Sequence, residues 1–153
     1  MELRKQFFLE ASKYYGLKEI PGEQNNPIIL GWFQDLGFNW VQDDETAWCS
    51  CFVNWIAWRL GMERSSRLNA RSWLDVGEKI LTPELGDLVV FWREDPSSWK
   101  GHVGIFNGQD KDFIYSLGGN QGNMVQTSPY PQERLLAYIR LRPLDIVKEN
   151  QNL

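Results

Sequence analysis

The sequence predicts an α+β domain in which N-terminal helices pack on an antiparallel sheet of five to six strands. Apolar residues recur with helical spacing in the first half, and short β-branched or aromatic runs separated by turn residues fill the second half. Helices and strands are grouped rather than alternating, which is typical of α+β domains. With 153 residues, 42% of them hydrophobic, the chain is long enough for one domain with a sizeable core.

The helices are predicted from apolar spacing and from the residues that bound each segment. The first covers Leu3–Tyr15 and ends at Gly16, and the second begins with Asn26 as its N-cap before Pro27 and runs to Gly37. Turn-rich residues 17–26 connect them, and a loop at 39–45 follows. The third helix begins near Cys49 and ends at Gly61, and a short helix is predicted within 70–76.

Five strands are predicted in the second half, and we expect consecutive strands to pair as a meander. They cover Leu85–Trp92, Gly101–Gly108, Asp112–Gly119, Asn123–Ser128 and Arg134–Leu141. Residues 1–145 are therefore expected to form one domain. The polar segment 146–153 is expected to be a frayed tail.

The composition argues against several classes of protein. A net charge of -4 with scattered basic residues argues against nucleic-acid binding. Glu10 and Lys13 interrupt the only N-terminal apolar run, so we expect neither a signal peptide nor membrane insertion. Two cysteines two positions apart on a helix and a single histidine predict no disulfide, no metal site and no cofactor. We expect a monomer made in the cytoplasm.

Cys49 is the first candidate for chemistry, because it lies where a polar loop gives way to the third helix. Backbone N–H groups and the helix dipole at a helix N-terminus favour a thiolate, so the position predicts a lowered pKa. The other interpretation is a small buried apolar residue. Cys51 falls on another face of the helix, near Trp55 and Trp58.

His102 and Asn120 are candidates for the groups that support a thiolate. His102 lies in a predicted strand on the same face as Gly104 and Phe106, and Asn120 ends the next strand. A cysteine nucleophile needs a base, and the base needs a third group that fixes its orientation. A structural histidine and a simple Gly-Gly-Asn turn are the alternative interpretations.

Four segments in order resemble one family: DETAWCSCFVNW, the Pro83–Trp92 run, GHVGI and LGGNQ. They are similar to the CHAP branch of the NlpC-type, papain-like amidase and endopeptidase superfamily over residues 16–143. The resemblance implies a papain-like α+β fold and cleavage of amide bonds in peptidoglycan. It assigns the nucleophile to Cys49, the base to His102 and the orienting residue to Asn120. Trp48, Trp99 and Gln121 lie beside these motifs and are candidate substrate-binding residues.

Two positions depart from the family pattern. Many CHAP members have Glu two positions before the equivalent of Asn120, where this chain has Gly118, so the third role rests on Asn120 or on an unidentified residue. Cys51 stands where a small residue is usual, which favours packing for Cys51 and catalysis for Cys49.

The expected substrate is the peptide part of peptidoglycan, cut through a thioester intermediate. Delivery to the periplasm or cell wall is expected through phage lysis, or through type VI secretion with an immunity protein as partner. Two alternatives remain open at this stage. One is a non-catalytic wall- or glycan-binding module that uses the eight tryptophans for stacking, and the other is an intracellular peptidase.

Overall fold

The computed structural model describes residues 2–20, 25–41 and 47–151, in which helices cover one face of an antiparallel sheet. Residues 21–24 and 42–46, which include parts of two predicted loops and the start of the DETAWC motif, lie outside the described residues. The described helices are α1 (Leu3–Ser12), α2 (Pro27–Asp35), α3 (Cys49–Arg59) and α4 (Leu144–Gln151), with 3-10 helices at Ala70–Asp75 and Gln132–Arg134.

The predicted starts of the first three helices are confirmed, whereas α1 ends at Ser12 and not at the predicted Tyr15. The Asn26 side chain accepts a hydrogen bond of 2.9 Å from the Ile28 N–H and so caps α2. The left-handed residues Gly16, Gly37 and Gly61 follow α1, α2 and α3. In α3 every residue from Cys49 to Ala57 is buried, so this helix passes through the core and does not merely present one apolar stripe.

The described strands form one six-stranded sheet in the order β1-β6-β2-β3-β4-β5. They are β1 (Glu78–Ile80), β2 (Leu88–Trp92), β3 (Gly101–Gln109), β4 (Phe113–Gln121), β5 (Met124–Pro131) and β6 (Leu135–Arg140). The predicted meander is confirmed from β2 to β5 and wrong for β6. After the 3-10 turn at Gln132–Arg134 the chain crosses back to pair β6 with β2, where Ile139 is buried in the core.

The polar C-terminal segment, which was expected to be a frayed tail, forms a helix as far as Gln151 in the described residues. The helix α4 begins at Leu144, whose N–H donates to the Gly61 carbonyl at 2.9 Å, and Asp145 lies in its first turn. A carboxylate in this position stabilises a helix N-terminus. A hydrogen bond to the loop after α3 thus anchors the start of this segment.

The two faces of the sheet have different surroundings. Val103 and Ile105 of β3 belong to the large core shared with the helices, whereas Phe106 belongs to a smaller cluster with Phe91. His102 is the register partner of Phe91. Because side chains alternate along a strand, His102 lies on the face of the smaller cluster, and β3 carries it there next to Val103.

Candidate active site

Cys49 is the first residue of α3 and is almost fully buried, with 6% of its surface exposed. Backbone N–H groups of Val103, Ser50 and Cys49 itself face the sulfur and favour the thiolate. Burial outweighs them and raises the pKa of Cys49. The predicted helix-start position is therefore confirmed, but the predicted lowering of its pKa was wrong, because the helix terminus lies in the core.

Cys51, two residues further along α3, is completely buried. Burial, and secondarily the neighbouring Cys49, raise the pKa of Cys51 as well. Of the two cysteines, Cys49 borders a cavity of about 240 Å³. The cavity makes Cys49 the cysteine that a substrate can reach.

The β3 backbone next to His102 lies beside Cys49, because the N–H of Val103, the following residue, donates a hydrogen bond to the sulfur. The imidazole stacks on Tyr130, with ring centroids 5.0 Å apart. Burial lowers the pKa of His102 to about 4, although a hydrogen bond from Gln121 acts in the opposite direction. At neutral pH the site therefore holds a neutral imidazole beside a neutral thiol.

The hydrogen-bond partner of His102 is Gln121, whose Oε1 lies 2.7 Å from the imidazole Nε2. The Gln121 Nε2 donates to the carbonyls of Ser116 at 2.9 Å and Gln126 at 2.6 Å, and the Ser116 hydroxyl donates to Oε1. Since both donors face carbonyls, Oε1 must face the ring. His102 therefore carries its proton on Nε2 and leaves Nδ1 unprotonated, which is the state that a general base requires.

Asn120 was predicted to orient the imidazole, and the geometry gives that position to Gln121 instead. Asn120 is half-buried, and within the described part of the chain no hydrogen bond joins its side chain to His102. Asn120 has a φ of 59° and lies in a one-residue bulge, where the β4–β5 register shifts between Gly118 and Gln121. One extra residue moves the following side chain to the opposite face, so Gln121 joins Ser116 on the face of His102.

Two glycines make room for this network. A Cβ atom at Gly104 would overlap the Ser116 hydroxyl, and one at Gly118 would lie 2.8 Å from Gln121 Oε1. The space beside Gly104 is therefore occupied by Ser116. Both glycines are explained by the close approach of side chains from the neighbouring strand.

The three predicted substrate-binding residues have different surroundings. Trp48 is fully buried, donates to Glu19 at 2.8 Å and packs against Gly119, so its place is in the core. Gln121 is also buried, within the network around His102. Trp99 is 72% exposed and borders the Cys49 cavity, as a substrate-binding residue would.

A second cavity, of about 220 Å³, lies on the other side of the site and is bordered by His102, Gln121 and Tyr130. Arg93 and Asn120 border both cavities, so the Cys49 side and the His102 side of the site meet at these two residues. Neither Tyr130 nor Arg93 was identified from the sequence, because an isolated Tyr in a strand and an Arg after one carry no distinctive pattern.

Within residues 2–20, 25–41 and 47–151, no group of three or more His, Cys, Asp or Glu side chains could hold a metal ion. The same described residues contain no helix with the length and apolar character needed to span a membrane.

Comparisons with known proteins agree with this architecture. A family model described as "CHAP domain" matches residues 41–120, just over half of the chain. The fold is similar to that of a protein from Staphylococcus aureus subsp. aureus Mu50 described as "similar to lipoprotein, NLP/P60 family", with a TM-score of 0.55 and 19% identity. The similarity covers 92% of this chain and 42% of that one, so this chain spans less than half its length. No curated protein matches.

Proposed function

This chain belongs to the CHAP family, whose members are typically peptidoglycan hydrolases, and we propose that it cuts an amide or peptide bond in peptidoglycan peptides with Cys49 as the nucleophile. The observation that carries the proposal is the hydrogen bond of 2.7 Å between His102 Nε2 and Gln121 Oε1. The Gln121 carboxamide holds the ring by Nε2, which leaves Nδ1 free to accept the thiol proton.

In the proposed reaction, Nδ1 of His102 takes the proton from the Cys49 thiol as the sulfur attacks the scissile carbonyl carbon. The Cys49 N–H at the start of α3 donates to the resulting oxyanion. The imidazolium then gives its proton to the amine nitrogen as the C–N bond breaks, which leaves a thioester. Water attacks the thioester, His102 accepts a water proton, and the product carboxylate and the free thiol are released. Gln121 accepts from Nε2 throughout and stabilises the transient imidazolium.

The starting protonation states shape this mechanism. Because burial disfavours both the thiolate and the imidazolium, the proton is transferred when a substrate occupies the site rather than beforehand. A substrate also has to reach a sulfur with little exposure, and the cavity beside Trp99 is the route.

The test compares Cys49→Ala with the matched control Cys51→Ala in a turbidity assay on purified cell walls. We expect the Cys49 variant to lose hydrolysis and the Cys51 variant to retain most of it, because Cys51 has no access to substrate. Full activity of the Cys49 variant would refute the proposal. A wild-type protein that sediments with cell walls but releases no fragments would be a binding module.

The bond and the route of delivery belong to the same proposal. Mass spectrometry of the soluble fragments identifies the bond, because each cleavage leaves a new amine and a new carboxylate at a defined position. For delivery, we propose release during phage lysis or injection by type VI secretion. A neighbouring holin gene would support phage lysis, and a neighbouring immunity gene would support injection.

A further inference from the structure

The cavity beside His102 contains two arginines and no acidic residue among those that border it. Arg93 follows β2 and Arg134 ends the 3-10 helix before β6, so distant parts of the chain place both guanidinium groups at the same cavity. The protein as a whole carries a net charge of -4. The positive charge of this cavity is therefore opposite to that of the molecule.

Neither arginine has an acidic partner among the described residues. Arg93 is exposed and its side chain makes no hydrogen bond or ion pair there. The Arg134 guanidinium lies over the Trp92 ring at 5.3 Å, and its buried Nε has no hydrogen-bond partner. The two guanidinium groups therefore keep hydrogen-bond donors that no described carboxylate accepts.

Three arginines elsewhere in the protein stabilise the fold through carboxylates or backbone carbonyls. Arg140 pairs with Asp87 at 2.7 Å, and Arg142 pairs with Glu63 at 2.8 Å. Arg71 donates to three backbone carbonyls. The two arginines at the His102 cavity thus differ from arginines that stabilise the fold.

We propose that Arg93, with Arg134 as a second cation, binds a free carboxylate on the residue that supplies the leaving amine. A guanidinium matches a carboxylate in shape and charge. In the proposed reaction the acyl part of the substrate stays on Cys49 while the amine leaves toward His102. Arg134 borders the His102 cavity and not the Cys49 cavity, so the bound carboxylate is assigned to the leaving residue. This inference rests on the proposed function and names its substrate class: peptides with a free carboxylate next to the scissile bond.

The experiment uses the tripeptide L-Ala-γ-D-Glu-L-Lys with each carboxylate in turn left free or converted to an amide. The enzymes are wild type, Arg93→Gln, Arg93→Lys and Arg134→Gln. Arg64→Gln is the matched control, because this substitution removes the same charge at a cavity away from the site. Product masses identify the leaving residue, and kcat/KM is measured for every pair.

We expect wild type to prefer the free carboxylate on the leaving residue by about 10- to 100-fold, the range of a hydrogen bond to a charged group. Arg93→Gln should lose that preference, Arg93→Lys and Arg134→Gln should weaken it, and Arg64→Gln should keep it. An unchanged preference in Arg93→Gln, or an equal loss on the free and amidated peptides, would overturn the inference.

Binding measured without hydrolysis separates the two proposals. In titration calorimetry, Cys49→Ala should bind the peptide with the free carboxylate more tightly than the amidated peptide. The double variant that also carries Arg93→Gln should bind both peptides equally. If wild type hydrolyses neither the peptides nor purified cell walls while this binding preference is present, the proposed function fails and the carboxylate site stands. If both peptides are cleaved at equal rates, the carboxylate site fails and the hydrolase stands.

Discussion

Replacing Gln121 by Met tests whether this residue fixes the imidazole. Met has a similar length but neither accepts from Nε2 nor donates to a carbonyl with useful strength. The change removes the bond of 2.7 Å to His102, the bonds to the Ser116 and Gln126 carbonyls, and the acceptor of the Ser116 hydroxyl. At about 1 kcal/mol for each of these hydrogen bonds, the free energy of unfolding should fall by roughly 4 kcal/mol.

The effect on catalysis is estimated from the single bond to the ring. Because the imidazole becomes charged during the reaction, that bond stabilises the charged form by about 1.5–3 kcal/mol, and its loss should lower kcat by roughly 10- to 150-fold. The pKa of His102 should fall further below about 4, since the Gln121 hydrogen bond is the influence that raises it. The assays are cell-wall hydrolysis, urea unfolding and NMR titration of the single histidine.

Two further variants separate orientation from stability. Gln121→Glu keeps an acceptor for Nε2 but loses the donors to the carbonyls, so we expect it to be destabilised like the Met variant, with a raised His102 pKa and higher activity than Met. Asn120→Ala is the control and should retain the His102 pKa. A larger loss of activity in Asn120→Ala than in Gln121→Met, with both folded, would refute the assignment.

Two other predictions concern the same network. Burial keeps the pKa of His102 at about 4, below its ordinary 6.5, so below pH 6.5 the unfolded chain gains a proton that the folded chain does not, and stability falls. Relative to His102→Gln, the free energy of unfolding of wild type should fall by about 3 kcal/mol between pH 7.5 and pH 4, measured by urea unfolding. Parallel plots of unfolding free energy against pH for the two proteins would contradict this. Gly104→Ala should destabilise the protein by about 1–3 kcal/mol, because the new methyl group displaces Ser116. Adding Ser116→Gly should partly restore the melting temperature. If the double variant melts no higher than Gly104→Ala, the clash with Ser116 is not the cause.

The sequence alone determined the features that depend on local patterns. Asn26 and Pro27 start a helix because of their backbone and capping chemistry, and Cys49 was placed at the start of α3 by the change from a polar segment to apolar spacing. The strand runs from β2 to β6 were predicted because their residues favour extended backbone. The short polar strand β1 carries no such pattern and was missed.

Tertiary structure decided which side chains meet at the site. The family resemblance assigned the orienting role to Asn120, but a one-residue bulge at Asn120 reverses the alternation of faces, so the side chain that contacts His102 is that of Gln121. Trp48 fills the space above Gly119 and not a groove, and burial of the α3 terminus reverses the expected direction of the Cys49 pKa shift. Arg93 reaches both cavities only because β2 ends beside β3. These outcomes depend on contacts between residues far apart in the chain, which local sequence patterns do not encode.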